Sequence, residues 1–217
     1  MLQHVLFDLD GTLVDSAEGV LSALRRCLDR AGVSTQVELT RALIGPPLPM
    51  LIATATGSKD PAVLEALARD FRTEYDATGW RDAPSYPGVP AALDALRAAG
   101  VGMHLVTNKR MVPTLKILDA HDWSRSFRTV NTLDTSDGAG NKSDVVARLL
   151  QSIGAGGAHV ALVGDSLDDA LAAIANHIPF AFASWGYGAG AELGAAGVRL
   201  DSAHDLVPHL LGASRVA

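Results

Sequence analysis

Two aspartates two residues apart close an apolar run near the start of the chain, in Phe7-Asp8-Leu9-Asp10-Gly11-Thr12-Leu13-Val14-Asp15-Ser16. Strand periodicity sends residues i and i+2 to one side, so Asp8 and Asp10 project together. Carboxylates that close repel each other unless a cation lies between them or one keeps its proton. Gly11 lets the chain turn sharply and present backbone N–H groups. A bare Asp-x-Asp is as well explained by a solvated turn at a strand end; the whole ten-residue string points to a site.

A second apolar run ends the same way, in Val160-Ala161-Leu162-Val163-Gly164-Asp165-Ser166-Leu167-Asp168-Asp169. Oxygen-rich clusters suit Mg²⁺, which wants octahedral oxygen ligands. Acids decorating a helix N-terminus would explain Asp168 and Asp169 equally well. An EF-hand is a poor match, because its required Gly and terminal Glu are missing. A nucleophile elbow is excluded at Ser166, because Leu167-Asp168 follows it. Thr107 and Asn108, just after the run at 103–106, could donate to phosphate oxygens or simply cap a helix. Lys142 opens a helix, where a cation opposes the helix dipole and so suggests another purpose. Gly140-Asn141-Lys142-Ser143 is not a phosphate-binding P-loop, since Asn141 separates Gly from Lys.

Four short apolar runs, at 5–7, 103–106, 160–163 and 180–182, have the length of buried strands. Between them, 90–99 and 142–153 carry one-sided apolar spacing and are followed by Gly100 and Gly154, which mark helix ends. Such alternation predicts a parallel, Rossmann-like α/β sheet flanked by helices. The stretch 15–85 breaks the pattern and reads as helical. Asp15 with Glu18 resembles a capping box, and Leu21, Leu24 and Leu28 continue a stripe. Asp60-Pro61 starts another helix, lined on one face by Val63, Leu64, Leu67, Phe71 and Tyr75. The predicted organisation is an α/β core of 1–14 and 86–217 with a small all-helical cap, 15–85, inserted after the first strand. Gly45-Pro46-Pro47-Leu48-Pro49 is a stiff turn within that insertion.

The 217 residues carry 24 acidic and 18 basic side chains, a formal charge of −6, which is a poor match to a nucleic acid backbone. Aromatics are 5% of the chain, too few for a base-stacking surface. The single cysteine, Cys27, excludes a disulfide framework and a cysteine-ligated zinc site. The seven histidines are scattered, with no zinc-hydrolase spacing. No run approaches the roughly 20 apolar residues of a membrane span, and no basic segment precedes an apolar one at the start. A cytoplasmic protein, monomer or homodimer, without nucleic acid or membrane partners, is expected.

Asp-x-Asp, Thr, Lys and Gly-Asp-x-x-x-Asp, in that order, resemble the motifs of the haloacid dehalogenase superfamily of phosphotransferases over nearly the whole chain. Asp8 and Asp10 match the first motif, Thr107 the second, Lys142 the third, and Asp165 with Asp169 the fourth. Tyr86-Pro87-Gly88-Val89 and Trp185-Gly186-Tyr187-Gly188 look like the phosphoglycolate phosphatase-like branch. Asp10 argues for phosphate rather than carbon–halogen chemistry, because true dehalogenases do not keep that residue. Ser143 stands where a Pro often follows the third-motif Lys, and Asp168 is a second acid beside Asp169.

The resemblance implies a phosphatase acting on a small phosphate ester, phosphoglycolate-like or a sugar phosphate. Asp8 is the implied nucleophile and Asp10 the acid and base. Asp8, the Asp10 carbonyl, Asp165 and Asp169 are the implied Mg²⁺ ligands. Thr107, Lys142 and the N–H groups around Gly11 are the implied phosphoryl donors. A β-phosphoglucomutase-like sugar phosphomutase shares these features. A receiver-type signalling module shares the Asp, Thr and Lys, but not the position of the nucleophile or the insertion.

Overall fold

The computed structural model describes residues 2–136, 139–188 and 197–212. Its centre is a six-stranded sheet: β1 (His4–Phe7), β2 (Gly102–Thr107), β3 (Thr129–Thr132), β4 (Val160–Gly164), β5 (Phe180–Ala183) and β6 (Val198–Leu200). Every pairing is parallel, in the order β3-β2-β1-β4-β5-β6. Parallel strands covered on both faces must be apolar on both faces, which explains the unbroken runs in β1, β2 and β4.

Period-2 alternation divides these runs between two cores. Val5, Phe7 and Leu105 face helices α4 (Val89–Ala98), α5 (Met111–Ala120) and α8 (Leu206–Gly212). Leu6, Val106 and Leu162 face α6 (Lys142–Ile153) and α7 (Leu167–Ala175). The expected helix at 90–99 begins and ends one residue earlier. The helix at 142–153 ends at Gly154, in the left-handed region, as its spacing predicts. β3 and β6 have no sequence signature. Both are edge strands, short and partly exposed, and need no apolar run.

Between β1 and α4 lie α1 (Ala17–Ala31), α2 (Leu48–Thr56) and α3 (Pro61–Ala77), with an apolar core of their own that includes Leu24, Leu28, Ile52, Leu67 and Phe71. Asp60 caps α3, its carboxylate accepting from the Ala62 N–H at 2.8 Å. The Asp15–Glu18 capping box does not form. Ser16 takes the N-cap position, and Glu18 accepts from the Ser22 hydroxyl instead. Val63 is 37% exposed, unlike Leu67, Phe71 and Tyr75. Each i+4 step overshoots a full turn by about 40°, so three steps back from Tyr75 carry Val63 off the buried face.

The two segments joining this unit to the sheet run side by side. The Asp15 N–H donates to Pro84 O at 2.8 Å, and the Tyr86 N–H to Leu13 O at 3.1 Å. Cys27 is fully enclosed in the helical core, and burial pushes its thiol up to about 12, which excludes a reactive thiolate. No helix among the described residues is long and apolar enough to cross a membrane.

A histidine pair, His104 buried and His4 half-buried, is expected to give the sheet a pH dependence. His104 on β2 lies 3.1 Å from His4 on β1 and 2.8 Å from the Thr129 hydroxyl. Burial first, then the neighbouring His4 and Arg128 charges, pull His104 from 6.5 to about 4. A lowered histidine pKa favours the fold fully above the unfolded value and ceases to do so as pH falls toward the folded one. The expected contribution is on the order of 3 kcal/mol, lost between pH 6.5 and 4. Equilibrium denaturation of His104→Gln across that window should show a shallower acid slope than the wild type. An identical slope would clear His104.

Candidate active site

Asp8 directly follows β1, Thr107 ends β2, and Asp165 directly follows β4. These three strands are adjacent, with β1 in the middle, so their C-terminal ends open into one crevice. That is where open parallel sheets bind ligands, at the point where the strand order reverses. Helix α6 brings Lys142 in from its first position, and α7 brings Asp169 from its first turn. The Lys142 ammonium lies 2.8 Å from Asp8 Oδ1 and 2.7 Å from Asp169 Oδ1. One carboxylate oxygen each from Asp8, Asp165 and Asp169 falls within a 4.8 Å cluster, and all three residues are buried.

Three buried carboxylates against one ammonium leave the pocket short of positive charge. Burial lifts Asp8 well above the usual carboxylate range, with Lys142 pulling it back and Asp169 and Asp165 adding to the rise. Burial and then the Asp169 charge push Asp165 up to about 7, although the Tyr187 N–H donates to it at 2.6 Å. Burial alone would lower Lys142, yet the charges of Asp169 and Asp8 hold it above its ordinary value. A hard divalent cation fits this all-oxygen, charge-deficient donor set.

Two glycines let the acids approach. A Cβ on Gly11, at φ +86°, would lie 2.2 Å from Asp165 Oδ2, and one on Gly164 would lie 2.3 Å from Asp169 Cγ. The Gly11 N–H donates to Val14 O at 2.8 Å and is not offered to a ligand. In this arrangement Gly11 contributes room and a turn. Asp169 closes the helix start and also reaches the acidic cluster. One oxygen accepts from the Ser166 N–H and hydroxyl in a capping box, and the other meets Lys142. Asp168 instead turns toward Asn108.

The Asp10 carboxylate is not among the three that cluster. Lys109 Nζ lies 3.0 Å from each of its oxygens, and the Ser16 hydroxyl donates to Oδ1. Lys109 also sits 4.6 Å from the ring centroid of Tyr75 on α3, so this ion pair touches both core and insertion. No sequence argument singled out Lys109; the only available signal was its place two residues beyond Thr107. The Thr107 hydroxyl oxygen accepts from the Lys109 N–H at 3.1 Å, which leaves its hydrogen to donate. Asn108 bridges the core and the insertion. Its amide nitrogen donates to Gly45 O at 3.0 Å and to Asp168 Oδ2 at 2.9 Å, so both hydrogens tie the insertion to the core rather than to a phosphate.

Asp8, Asp10, Thr107 and Asn108 form the floor of a cavity of about 90 Å³, roofed by Ile44, Gly45, Pro46, Leu48 and Leu51. The stiff turn at 45–49 thus faces the site. The arginines of α1 do not: Arg26 and Arg30 pair with Glu74, and Arg25 reaches Leu39 O.

The model of haloacid dehalogenase-like hydrolases matches residues 5–183. The tyrosine-protein kinase PtkA of Mycobacterium tuberculosis is 32% identical over 188 residues, 86% of this chain and 63% of that protein. The chain thus spans less than two thirds of the length of that relative. A phosphoglycolate phosphatase of Agrobacterium fabrum is 33% identical over 191 residues, 84% of this chain and 80% of the relative. The crystal structure of a predicted phosphatase from Clostridium acetobutylicum superposes with a TM-score of 0.88 at 25% identity, covering 98% of this chain and 99% of the other.

Proposed function

Because the chain belongs to the haloacid dehalogenase-like hydrolase family, we propose that it is an Mg²⁺-dependent phosphomonoesterase working through an aspartyl-phosphate on Asp8. The observation that carries this is the convergence of Asp8, Asp165, Asp169 and Lys142 in one buried cluster at the ends of β1 and β4. Asp8 attacks phosphorus in line, forming the Asp8–phosphorus bond as the bond to the leaving oxygen breaks. Lys142, bonded to Asp8 Oδ1, fixes the carboxylate and offers positive charge to the phosphoryl oxygens. Thr107 donates its free hydroxyl hydrogen to one of those oxygens.

Asp10 protonates the departing alcohol, then takes a proton from the water that hydrolyses the acyl phosphate. Ser16 orients Asp10 for both steps, and the Lys109 ammonium, which favours the ionised carboxylate, suits the second, in which Asp10 acts as base. Asp8, Asp165 and Asp169 would hold Mg²⁺, which when bound offsets the repulsion between nucleophile and phosphate. Residues 15–85 act as a cap, hinged on the paired strands of backbone at Val14 and Ser85, and closure excludes water.

Inorganic phosphate should appear when the protein is incubated with small phosphate esters and Mg²⁺. Isomerisation of a hexose phosphate without release would favour a mutase. An acyl phosphate lasting hours would favour a receiver.

Cation binding should also be visible without substrate. Mg²⁺ at 100 times its Kd should add about 2.7 kcal/mol to the stability. A proton on Asp165, held to about 7, competes with the cation, so affinity should rise between pH 6 and pH 8. Thermal melts with and without Mg²⁺ at the two pH values check this. A cation-induced shift that is larger at pH 6 would contradict it.

A further inference from the structure

We propose that the roof of the cavity selects phosphate monoesters whose leaving group is uncharged and apolar, and discriminates against leaving groups that carry a second anion. The inference rests on the phosphatase assignment above and adds the chemical class of the substrate. The phosphoryl group belongs at the floor, beside Asp8 and Thr107, so the leaving group must lie against the insertion. There it meets Val20, Ile44, Leu48, Leu51 and Phe71. None of these can pair with a charge.

The only cations lining the cavity among the described residues are Lys109 and Arg110. Lys109 is committed to both oxygens of Asp10, and Arg110 Nη2 to Asp76 Oδ1 at 2.5 Å. Drawing Lys109 to a substrate carboxylate would leave Asp10 unpaired beside the phosphoryl group. Arg110 keeps further N–H donors, but its charge is already balanced by Asp76, so a second anion there would lack a counter-charge of its own. Arg41 does not line this cavity; it is paired with Asp15 at 3.4 Å in the groove beside the linkers. A carboxylate or second phosphate under the roof would therefore be desolvated mostly against aliphatic and aromatic carbon, with one neutral hydroxyl, that of Tyr75, and no unpaired cation to meet it, a cost an uncharged group avoids.

The test compares kcat/KM for propyl phosphate, benzyl phosphate and 2-phosphoglycolate at equal Mg²⁺ and ionic strength. All three are esters of primary alcohols, so the comparison isolates the second charge. At least one uncharged ester should exceed 2-phosphoglycolate by about tenfold or more, mostly through KM. An equal or higher value for 2-phosphoglycolate would overturn this inference and leave the phosphatase assignment standing. Hydrolysis of none of the three, by protein that melts cooperatively, would overturn the phosphatase assignment and this inference with it. Leu48 is only half-buried on the first turn of α2, so Leu48→Lys can place a cation under the roof without emptying the helical core. That variant should shift the preference at least about fivefold toward 2-phosphoglycolate. A folded L48K enzyme with an unaltered preference would remove the roof from substrate selection.

Discussion

Asp8→Asn should lower turnover by at least about 10⁴-fold, because an uncharged amide oxygen cannot form the acyl phosphate through which both half-reactions pass. The same variant should fold. Removing one partner of a buried ion pair is usually costly because it strands the other, by about 3–5 kcal/mol. Here the Lys142 ammonium keeps Asp169 at 2.7 Å, and one of three mutually repelling carboxylates is gone. The melting temperature should stay within a few degrees of the wild type, and phosphate release should fall to background. Release within tenfold of the wild-type rate would take Asp8 out of the chemistry. A collapse of the melting transition would instead make Asp8 structural.

The difference between what was legible in the chain and what was not follows from the range over which each residue acts. Asp8, Gly11 and Asp165 follow apolar runs whose strand character is local, and Asp169 lies four residues beyond Asp165, so their nearness to strand ends was legible from spacing, while their roles came from the resemblance. That α6 would carry Lys142 into the same pocket, 134 residues from Asp8, is not local, and a cation at a helix start gave only a hint. Asn108 and Gly11 were assigned to phosphate because their donors were assumed free. The fold had already engaged both, through Gly45 and Asp168 in one case and Val14 in the other. Lys109 was passed over for the converse reason. Its partner Asp10 lies 99 residues away and its aromatic neighbour Tyr75 belongs to another unit, so nothing nearby in sequence announced it. The edge strands β3 and β6 were invisible because half-exposed strands need no apolar signature.

Lys142→Met should be more damaging to the fold than any change among the acids it serves. Methionine keeps an unbranched side chain one atom shorter and removes the charge together with its hydrogen-bond donors. Asp8, Asp165 and Asp169 would then share a buried pocket with no ammonium, a stranding expected to cost about 3–5 kcal/mol. The pH dependence distinguishes this from a packing defect. Carboxyls whose folded pKa lies above the unfolded value favour the fold at low pH, and that contribution is lost as pH rises from the unfolded value toward the folded one. For Asp165 that window runs from 3.8 to about 7 with Lys142 present, and losing the ammonium extends it upward. The deficit of the variant relative to wild type should therefore be small near pH 5 and largest at pH 8, and Mg²⁺ should recover part of it. Denaturant titrations at those two pH values, with and without the cation, measure each quantity. A deficit equal at both would mean that Lys142 is held for its packing, and the charge balance that defines the site would have to be sought elsewhere.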